Sequence, residues 1–333
     1  MKRERVIAAV SHKGATPVPH DIELTVPLAD KLCACLGIAH EQLWDWFDNH
    51  VEAMLYRKGQ YLENEIYEDP FGVRWDRSGA DKDIGIITEY ILKEPALGGY
   101  RIPEPNLDYV DEVTTELMAA GRDSYKLGKV GFSLFERAWS LRGLENFLAD
   151  LAGEEKFVCE LFEQILEYNM KIIDRALTYQ IDGFFLGDDY GQQRGLLMSP
   201  ATWRRLIKPC LAKMFERVKL SGRTVALHSC GDLSAIIGDL IDIGLDIYQT
   251  VQPEIYSLKE LKAQFGAHLT FWGGISTQQA LPYATPDEVR KTAAETIKIL
   301  GKGGGYIASP THKVPADVPV ENIIALAEAF RNQ

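Results

Sequence analysis

A histidine and a cysteine stand two residues apart at the end of a short apolar run, in the segment ALHSC at residues 226–230. In an extended strand, residues i and i+2 point to the same side, so the side chains of His228 and Cys230 would project together. Imidazole nitrogen and thiolate sulfur both bind zinc, and a catalytic zinc site takes three protein ligands with a fourth position open. The pair alone does not distinguish such a site from a packed histidine beside an inert thiol.

Three further residues are candidates for the third ligand. His312 ends a later apolar run, and Asp188 and Asp189 end an earlier one. The two aspartates could also cap the start of a helix, which is a common use of aspartate after a strand. Because ligands at three strand ends favour a metal site over a chance pair, we predict that His228 and Cys230 bind a metal together with a third residue, which is His312, Asp188 or Asp189. Asp188 and Asp189 are also our candidate catalytic residues.

Alternating strands and helices are needed to bring these residues together. From about residue 128, short apolar runs that end in polar residues alternate with helical patterns. The predicted strands are 129–135, 181–189, 223–230, 245–252, 268–276 and 304–312, and the predicted helices between them include 157–179 and 285–300. This alternation predicts parallel β/α units, whose chemistry lies in the loops after the strand ends.

An early strand at VPHDI (18–22) brings the number of predicted strands to seven, one fewer than a (β/α)8 TIM barrel requires. The eighth strand lies hidden in the first 125 residues or at an irregular connection, and a doubly wound sheet is the alternative. The N-terminal region predicts helices at RERVIAAVSH, ADKLCACLG and HEQLWDWFDNHVEAMLY, and a β-hairpin at FGVRWDRSGADKDIGIITEYIL. We therefore predict a single barrel domain over 1–333, in which 1–125 form a helical and hairpin elaboration plus the first strand and 126–333 form the main barrel.

Composition excludes several classes of partner. The formal net charge is −12, which argues against nucleic acid and anionic membrane surfaces, since both require a basic face. The five cysteines are too few and too scattered for a disulfide framework. The first residues contain only a short apolar stretch, and no run approaches the 18 apolar residues of a membrane span. We expect a cytoplasmic protein.

Four segments carry a family resemblance: GDDYGQQRGLLMSPATWRRLIKP, ALHSCGDLSAIIGDLIDIGLDIYQTVQPE, LTFWGGISTQQALPYATPDEVR and GGGYIASPTHKVPADVPVENI. They resemble the uroporphyrinogen decarboxylase superfamily, and within it the zinc-dependent methyltransferases that exchange methyl groups with corrinoid proteins. The resemblance is strong over 130–333 and covers 1–110 in outline. It implies a (β/α)8 barrel, zinc as cofactor on His228 and Cys230, and a separate corrinoid-binding protein as partner, because this chain has no Asp-x-His-x-x-Gly segment to hold a corrinoid.

The third zinc ligand departs from the family pattern. In the family it is commonly a cysteine after the last strand, whereas the loop here reads SPTHKVP and His312 is the nearest replacement. One thiolate with two histidines leaves zinc at about +1, a stronger Lewis acid than zinc with two thiolates. That charge favours demethylation of a methyl ether onto the corrinoid protein, with methylation of a small thiol acceptor as the second hypothesis.

Two further hypotheses remain: a uroporphyrinogen decarboxylase and a non-catalytic barrel. The decarboxylase needs arginines near the N-terminus for a substrate with many carboxylates, and the stretch SHKGATPVPHDIELTVP has none.

Six residues are predicted substrate contacts: Gln192, Gln249 and Gln252 as hydrogen-bonding groups, Tyr190 and Trp272 as apolar walls, and His20 beside Asp21 at a strand end. Each has a structural alternative, since the glutamines could satisfy loop backbone instead. The long N-terminal segment could support a homodimer.

Overall fold

The computed structural model describes residues 1–79 and 84–333, which cluster into two compact units. The first unit comprises Met1–Glu52, Arg122–Lys126 and Asp246–Gln333, and the second unit comprises Ala53–Gly121 and Leu127–Leu245. The borders of these units do not follow the predicted division at residue 125. The organisation as one barrel domain stays a prediction.

The strands and helices alternate over most of the chain. The strands are β1 (Val51–Leu55), β2 (Gln60–Tyr61), β3 (Ile66–Glu68), β4 (Arg74–Asp76), β5 (Ile86–Glu89), β6 (Tyr125–Gly131), β7 (Gly183–Gly187), β8 (Gly191–Gln192), β9 (Gly195–Leu196), β10 (Thr224–His228), β11 (Ile247–Val251), β12 (Thr270–Ile275) and β13 (Tyr306–Pro310). The α-helices are α1 (Lys2–Val10), α2 (Val26–Leu36), α3 (Leu43–Phe47), α4 (Leu107–Ala119), α5 (Phe135–Arg142), α6 (Leu144–Gly153), α7 (Glu155–Ala176), α8 (Pro200–Thr202), α9 (Lys208–Leu220), α10 (Ile237–Asp242), α11 (Leu258–Phe265), α12 (Ala280–Tyr283), α13 (Pro286–Leu300) and α14 (Val320–Arg331).

In the second unit, β6, β7 and β10 are parallel neighbours in that order. Gly131 at the end of β6 and His228 at the end of β10 both align with Gly187 at the end of β7. The N–H of Tyr56, the residue after β1, donates to the carbonyl of Lys129 on β6 at 2.9 Å. The residues that follow these four strands therefore emerge close to one edge of the sheet.

The predicted β-hairpin is confirmed by its strands. β4 and β5 pair antiparallel, with Trp75 opposite Ile87, and they belong to a four-stranded sheet in the order β2-β3-β4-β5. The residues 80–83 of its predicted turn lie outside the described residues. A second, two-stranded hairpin joins β8 to β9 directly after the loop that carries Asp188 and Asp189.

In the first unit, β11, β12 and β13 are parallel neighbours, as their apolar runs predict. The early VPHDI segment forms only isolated bridges, from His20 to Ala308 and from Leu24 to Val314. It is extended and lies beside β13, but it is not the regular strand that was predicted.

The predicted helix HEQLWDWFDNHVEAMLY is wrong in its second half. Helix α3 ends at Phe47 because Asp48 takes a left-handed conformation, with φ of 58°. Val51–Leu55 then forms β1. The side chain of Asn49 accepts from the N–H of Ile22 at 3.0 Å and donates to its carbonyl at 3.1 Å, in the manner of a strand neighbour. Contacts distant in sequence therefore override the local helical pattern.

The predicted strand at 129–135 is displaced. Strand β6 ends at Gly131, and α5 begins at Phe135. The other strands of the alternating region are confirmed with ends shifted by one or two residues, and the predicted long helices are α7 and α13. Helix α13 starts with a capping box in which Thr285 and Glu288 each hydrogen-bond the other's backbone N–H.

The amphipathic pattern of α7 explains its place in the core. Phe157, Leu161, Ile165 and Ile172 are all buried and recur at spacings that place them on one face of the helix. The mixed α/β class with parallel strands is thus confirmed. Among the residues described, no helix combines the length and the apolar character needed to cross a membrane.

Candidate metal centre

The loops after β7 and β10 meet through backbone pairing. Because His228 aligns with Gly187, the next residue, Asp188, donates its N–H to the carbonyl of His228 at 2.9 Å. The N–H of Cys230 donates to Oδ1 of Asp189 at 2.8 Å. The register of two neighbouring strands therefore brings a carboxylate beside the His-x-Cys pair.

Asp189, His228 and Cys230 form a group whose ligand atoms all lie within 4.8 Å of one another. Nε2 of His228 is 3.6 Å from Sγ of Cys230 and 3.4 Å from Oδ1 of Asp189. A tetrahedral zinc ion at its usual bond lengths would require a nitrogen–sulfur distance of about 3.6 Å and a nitrogen–oxygen distance of about 3.4 Å. The donor set of one sulfur, one nitrogen and one oxygen therefore fits zinc in both chemistry and spacing.

The group is open on one side. About a third of the Asp189 side chain (35%) and 18% of the His228 side chain are exposed. Burial, reinforced by the carboxylates of Asp189 and Glu136, raises the pKa of the Cys230 thiol. A cation at this position would have the opposite effect and would favour the thiolate. The site thus provides three ligands and leaves access for a fourth.

Glycines hold the two loops together. Gly231, with φ of +86°, lies against Gly191, and an added Cβ at Gly231 would be 2.2 Å from the carbonyl carbon of Gly191. The N–H of Asp232 donates to the carbonyl of Gln192 at 2.8 Å across the same contact. Only glycine allows the backbones to approach this closely. The contact keeps Asp189 beside Cys230.

Asp188 is fully buried and caps α5, the helix that follows β6. Its carboxylate accepts the backbone N–H groups of Phe135 at 2.8 Å and Glu136 at 2.7 Å. Burial raises the pKa of Asp188 to about 7 despite these two donors. The structure gives Asp188 a positioning role, and its catalytic role stays a prediction.

Glu136 is a functional candidate that the sequence analysis missed. It lies in the first turn of α5, and its carboxylate accepts the backbone N–H of Asp189. Burial and the negative charges of Asp189 and Asp188 raise the pKa of Glu136 well above its usual value. Glu136 was missed because residues 129–135 were predicted as a strand, which conceals that Glu136 lies in a helix start close to Asp188 and Asp189. A glutamate that follows a strand and falls in the first turn of a helix is a pattern from which its position could have been predicted.

Tyr190 and Gln192, the two predicted substrate contacts of the second unit, differ in burial. Tyr190 is buried, with its ring 6.4 Å from that of Phe135 and 5.9 Å from that of Trp203. Gln192 is exposed on β8. Tyr190 thus packs in the core directly after Asp189 in the chain, and the roles of both residues as substrate contacts stay predictions.

The remaining predicted residues lie in the first unit. His312 is exposed in the turn after β13, and it is not a member of the Asp189, His228 and Cys230 group. Gln252 and Trp272 are buried, and Gln249 is partly exposed on β11. Their roles stay predictions.

His20 is buried in the first unit, and its ring packs against those of His50 and Phe330. Its Nε2 lies 3.0 Å from the carbonyl of Phe47. These contacts are those of a core residue, and the role of His20 as a substrate contact stays a prediction.

Comparison with known proteins identifies similar chains. Residues 81–333 match the family model described as uroporphyrinogen decarboxylase (URO-D). The methylcobamide:CoM methyltransferase MtaA of Methanosarcina barkeri is 32% identical over 202 residues, which are 57% of this chain and 56% of that protein. The MtaA of Methanosarcina barkeri strain Fusaro is 30% identical over 202 residues, with the same coverage. This chain spans about half the length of the curated relatives it matches.

A solved structure extends the likeness in fold to the whole chain. A methyltransferase from Methanosarcina mazei superimposes with a TM-score of 0.74 at 18% identity, over 99% of this chain and 98% of that one. The sequence matches confirm the resemblance to the methyltransferase branch that the quoted segments indicate.

Proposed function

The chain belongs to the uroporphyrinogen decarboxylase family, and we propose that it is a zinc-dependent methyltransferase which moves a methyl group between a small substrate and a separate corrinoid protein. The observation that carries this proposal is the spacing of Asp189, His228 and Cys230, which matches a tetrahedral zinc site. The curated relatives are methyltransferases that act on methylcobamide, which supports the reaction class. We also propose that the parallel strands belong to the (β/α)8 barrel of this family.

We propose Asp189 as the third ligand on the strength of its distances, with His312 retained as the ligand predicted from sequence. Zinc would polarise the oxygen of a methyl ether or present a thiol as its thiolate. With His312 as the third ligand the site carries a formal charge of about +1, whereas with Asp189 one thiolate and one carboxylate leave it formally neutral. In the Asp189 set, the gain in Lewis acidity over two thiolates comes only from the weaker electron donation of the carboxylate oxygen. This composition favours a methyl ether as the substrate.

The residues around the group orient it. Asp188 holds the start of α5, which carries Glu136 toward Asp189. The N–H of Cys230 fixes the carboxylate of Asp189, and the glycine contact fixes the two loops. Such outer contacts set the direction of metal ligands and are expected to matter nearly as much as the ligands themselves.

Methylation of a small thiol is the second candidate. The observation that favours it is the printed activity of the curated relatives, which transfer the methyl group to CoM. Methylcobalamin can replace the corrinoid protein as the methyl donor to thiols, and cob(I)alamin kept reduced can replace it as the methyl acceptor from ethers. A panel of thiols with the first and of methyl ethers with the second therefore separates the two directions. Rapid turnover of thiols with no demethylation of ethers would refute the ether preference.

Metal content tests the zinc site directly. We expect about one zinc per chain in the wild type by plasma mass spectrometry, and loss of zinc in Cys230→Ser and Asp189→Ala. Cys35→Ser is the matched control, because Cys35 is an exposed free cysteine that is not a member of the group, and its loss should leave the zinc in place. Wild-type protein that binds no zinc would refute the proposal.

His312→Ala decides between the two candidates for the third ligand. Zinc retained in His312→Ala but lost in Asp189→Ala would assign the third ligand to Asp189. The reverse result would assign it to His312 and contradict our choice.

A further inference from the structure

The guanidinium of Arg57, in the second unit, has no counter-ion among the residues that the structure describes. Arg57 follows Tyr56 at the end of β1, on the edge where β6, β7 and β10 also end. Within residues 1–79 and 84–333, no carboxylate oxygen lies within 4.0 Å of its nitrogens, and its buried Nε has no hydrogen-bond acceptor. Arg57 as a whole is part-buried, but a guanidinium whose Nε is buried without an acceptor is costly unless a ligand pairs with it.

The nearby acid, Asp69, cannot serve as that partner because its oxygens are already engaged. Its carboxylate accepts four N–H groups, from Arg137 at 2.6 Å, Phe71 at 2.9 Å, Val73 at 3.1 Å and Trp75 at 3.2 Å. A carboxylate offers about four acceptor positions. Arg137 and Asp69 thus form a fully buried pair, and burial together with the charge of Arg137 lowers the pKa of Arg57.

An aromatic surface lies beside this guanidinium. The centre of the Phe132 ring is 5.3 Å from Cζ of Arg57 and 5.7 Å from Cζ of Arg137. The rings of Trp75 at 5.4 Å and Trp139 at 5.9 Å also lie against Phe132. Phe132 has a φ of 55°, a left-handed conformation that costs a non-glycine residue about 1–2 kcal/mol. Backbone strain of this kind is concentrated at ligand sites.

The same guanidinium is within electrostatic range of the candidate metal group. The charge of Arg57 acts on the carboxylate of Glu136, and the carboxylate of Glu136 acts on the thiol of Cys230. A small molecule held at Arg57 could therefore extend toward Cys230. The carboxylates of Asp188, Asp189 and Glu136 would disfavour a second negative charge on that molecule.

We propose that Arg57 binds the single anionic oxyacid group, a carboxylate or a sulfonate, of a small organic substrate whose apolar body packs on Phe132. The planar guanidinium matches such a group with two parallel hydrogen bonds. The identification of this ligand with the methyl-group substrate rests on the proposed function. The binding of an organic monoanion at Arg57 does not depend on the proposed function. A neutral compound of the same shape would leave the guanidinium unpaired and bind weakly.

Paired ligands test this selectivity on the wild-type protein. Calorimetry would compare 3-methoxybenzoate with 3-methoxybenzamide, and 3-methoxybenzenesulfonate with the corresponding sulfonamide. We expect at least one anion to bind tenfold or more tightly than its neutral partner, and the preferred pair identifies carboxylate or sulfonate. Equal affinity within both pairs, or no binding of either anion at millimolar concentration, would overturn the proposal.

Variants assign the selectivity to Arg57. Arg57→Gln should abolish the preference for the anion, and Arg57→Lys should retain part of it. Arg101→Gln is the control and should behave as wild type, because Arg101 is an exposed arginine of the same unit. Persistence of the full preference in Arg57→Gln would refute the assignment, and the comparison on wild type stands even where a variant does not fold.

One further variant separates this inference from the proposed function. Cys230→Ser should lose zinc yet keep the preference for the anion, because Arg57 is unchanged. Anion selectivity without any methyl transfer would refute the proposed function alone. Transfer from neutral ethers, with no anion preference in binding, would refute this inference alone.

Discussion

Replacing Gly231 by alanine should separate the two loops that carry the metal group. The added Cβ would lie 2.2 Å from the carbonyl carbon of Gly191 and 2.5 Å from the nitrogen of Gln192. Non-bonded carbon atoms normally stay about 3.5 Å or more apart, so the loops must move by roughly 1 Å. The contacts at risk are the hydrogen bond from Asp232 to Gln192 and the one from Cys230 to Asp189.

The expected cost follows from these contacts. A hydrogen bond between neutral groups contributes about 1 kcal/mol, and one to a carboxylate contributes about 2 kcal/mol. The left-handed conformation at Gly231 adds about 1 kcal/mol for alanine. The free energy of unfolding should therefore fall by about 4 kcal/mol, and zinc affinity should fall at least tenfold because Asp189 moves away from Cys230.

Gly195→Ala is the matched control for this substitution. Gly195 also has a positive φ, of +126°, but an added Cβ there meets no atom within 4 Å. It should therefore lose only the conformational cost and keep its zinc affinity. Urea unfolding measures stability, and competition with a chromophoric chelator measures zinc binding. If Gly231→Ala binds zinc as tightly as Gly195→Ala, the close glycine contact does not position the ligands.

Two further predictions concern buried polar groups. Burial lowers the pKa of His20 to about 4 and that of His50 to about 3, whereas both have a pKa near 6.5 in the unfolded chain. At a pH between the folded and unfolded values, the unfolded state therefore binds protons that the folded state does not. Each histidine should therefore reduce stability by about 1.4 kcal/mol from about pH 7.5 to 5.5. Because Asp188 also titrates in this range, the test is a difference: in urea titrations His20→Phe should lose about 1.4 kcal/mol less than the wild type, and an equal loss would contradict the prediction. Asp188→Ala leaves the N–H groups of Phe135 and Glu136 without acceptors and should lower the free energy of unfolding by about 2–4 kcal/mol. Asp188→Asn should lower it less, because the amide oxygen still accepts a hydrogen bond. Equal losses in the two variants would contradict a capping role.

Sequence patterns were sufficient where the contacts are local. His228 and Cys230 share one side of the chain because of strand geometry, and the prediction that they lie together is confirmed at 3.6 Å. The strands β7, β10, β12 and β13 were predicted because each is a short apolar run that ends in polar residues. In these segments local propensity and tertiary packing favour the same structure.

The choice between Asp188 and Asp189 depends on a contact that sequence does not encode locally. The alignment of His228 with Gly187 determines which aspartate faces the thiol, and this register is set by pairing between strands that are distant in sequence. Both aspartates were candidates for a ligand and for a helix cap. The structure divides the two roles, since Asp188 caps α5 and Asp189 lies beside Cys230.

The two residues missed by sequence analysis, Glu136 and Arg57, have a common cause. Glu136 follows a segment predicted as strand that instead turns into α5, and Arg57 follows β1, which was predicted as helix. In both places the chain departs from its local pattern, through the left-handed Phe132 before α5 and the left-handed Asp48 before β1. Departures from local preference are expected where function requires them. The first departure places Glu136 against Asp189, and the second places Arg57 within electrostatic range of Glu136, so both errors of local prediction fall at the edge where we propose that the ligand binds.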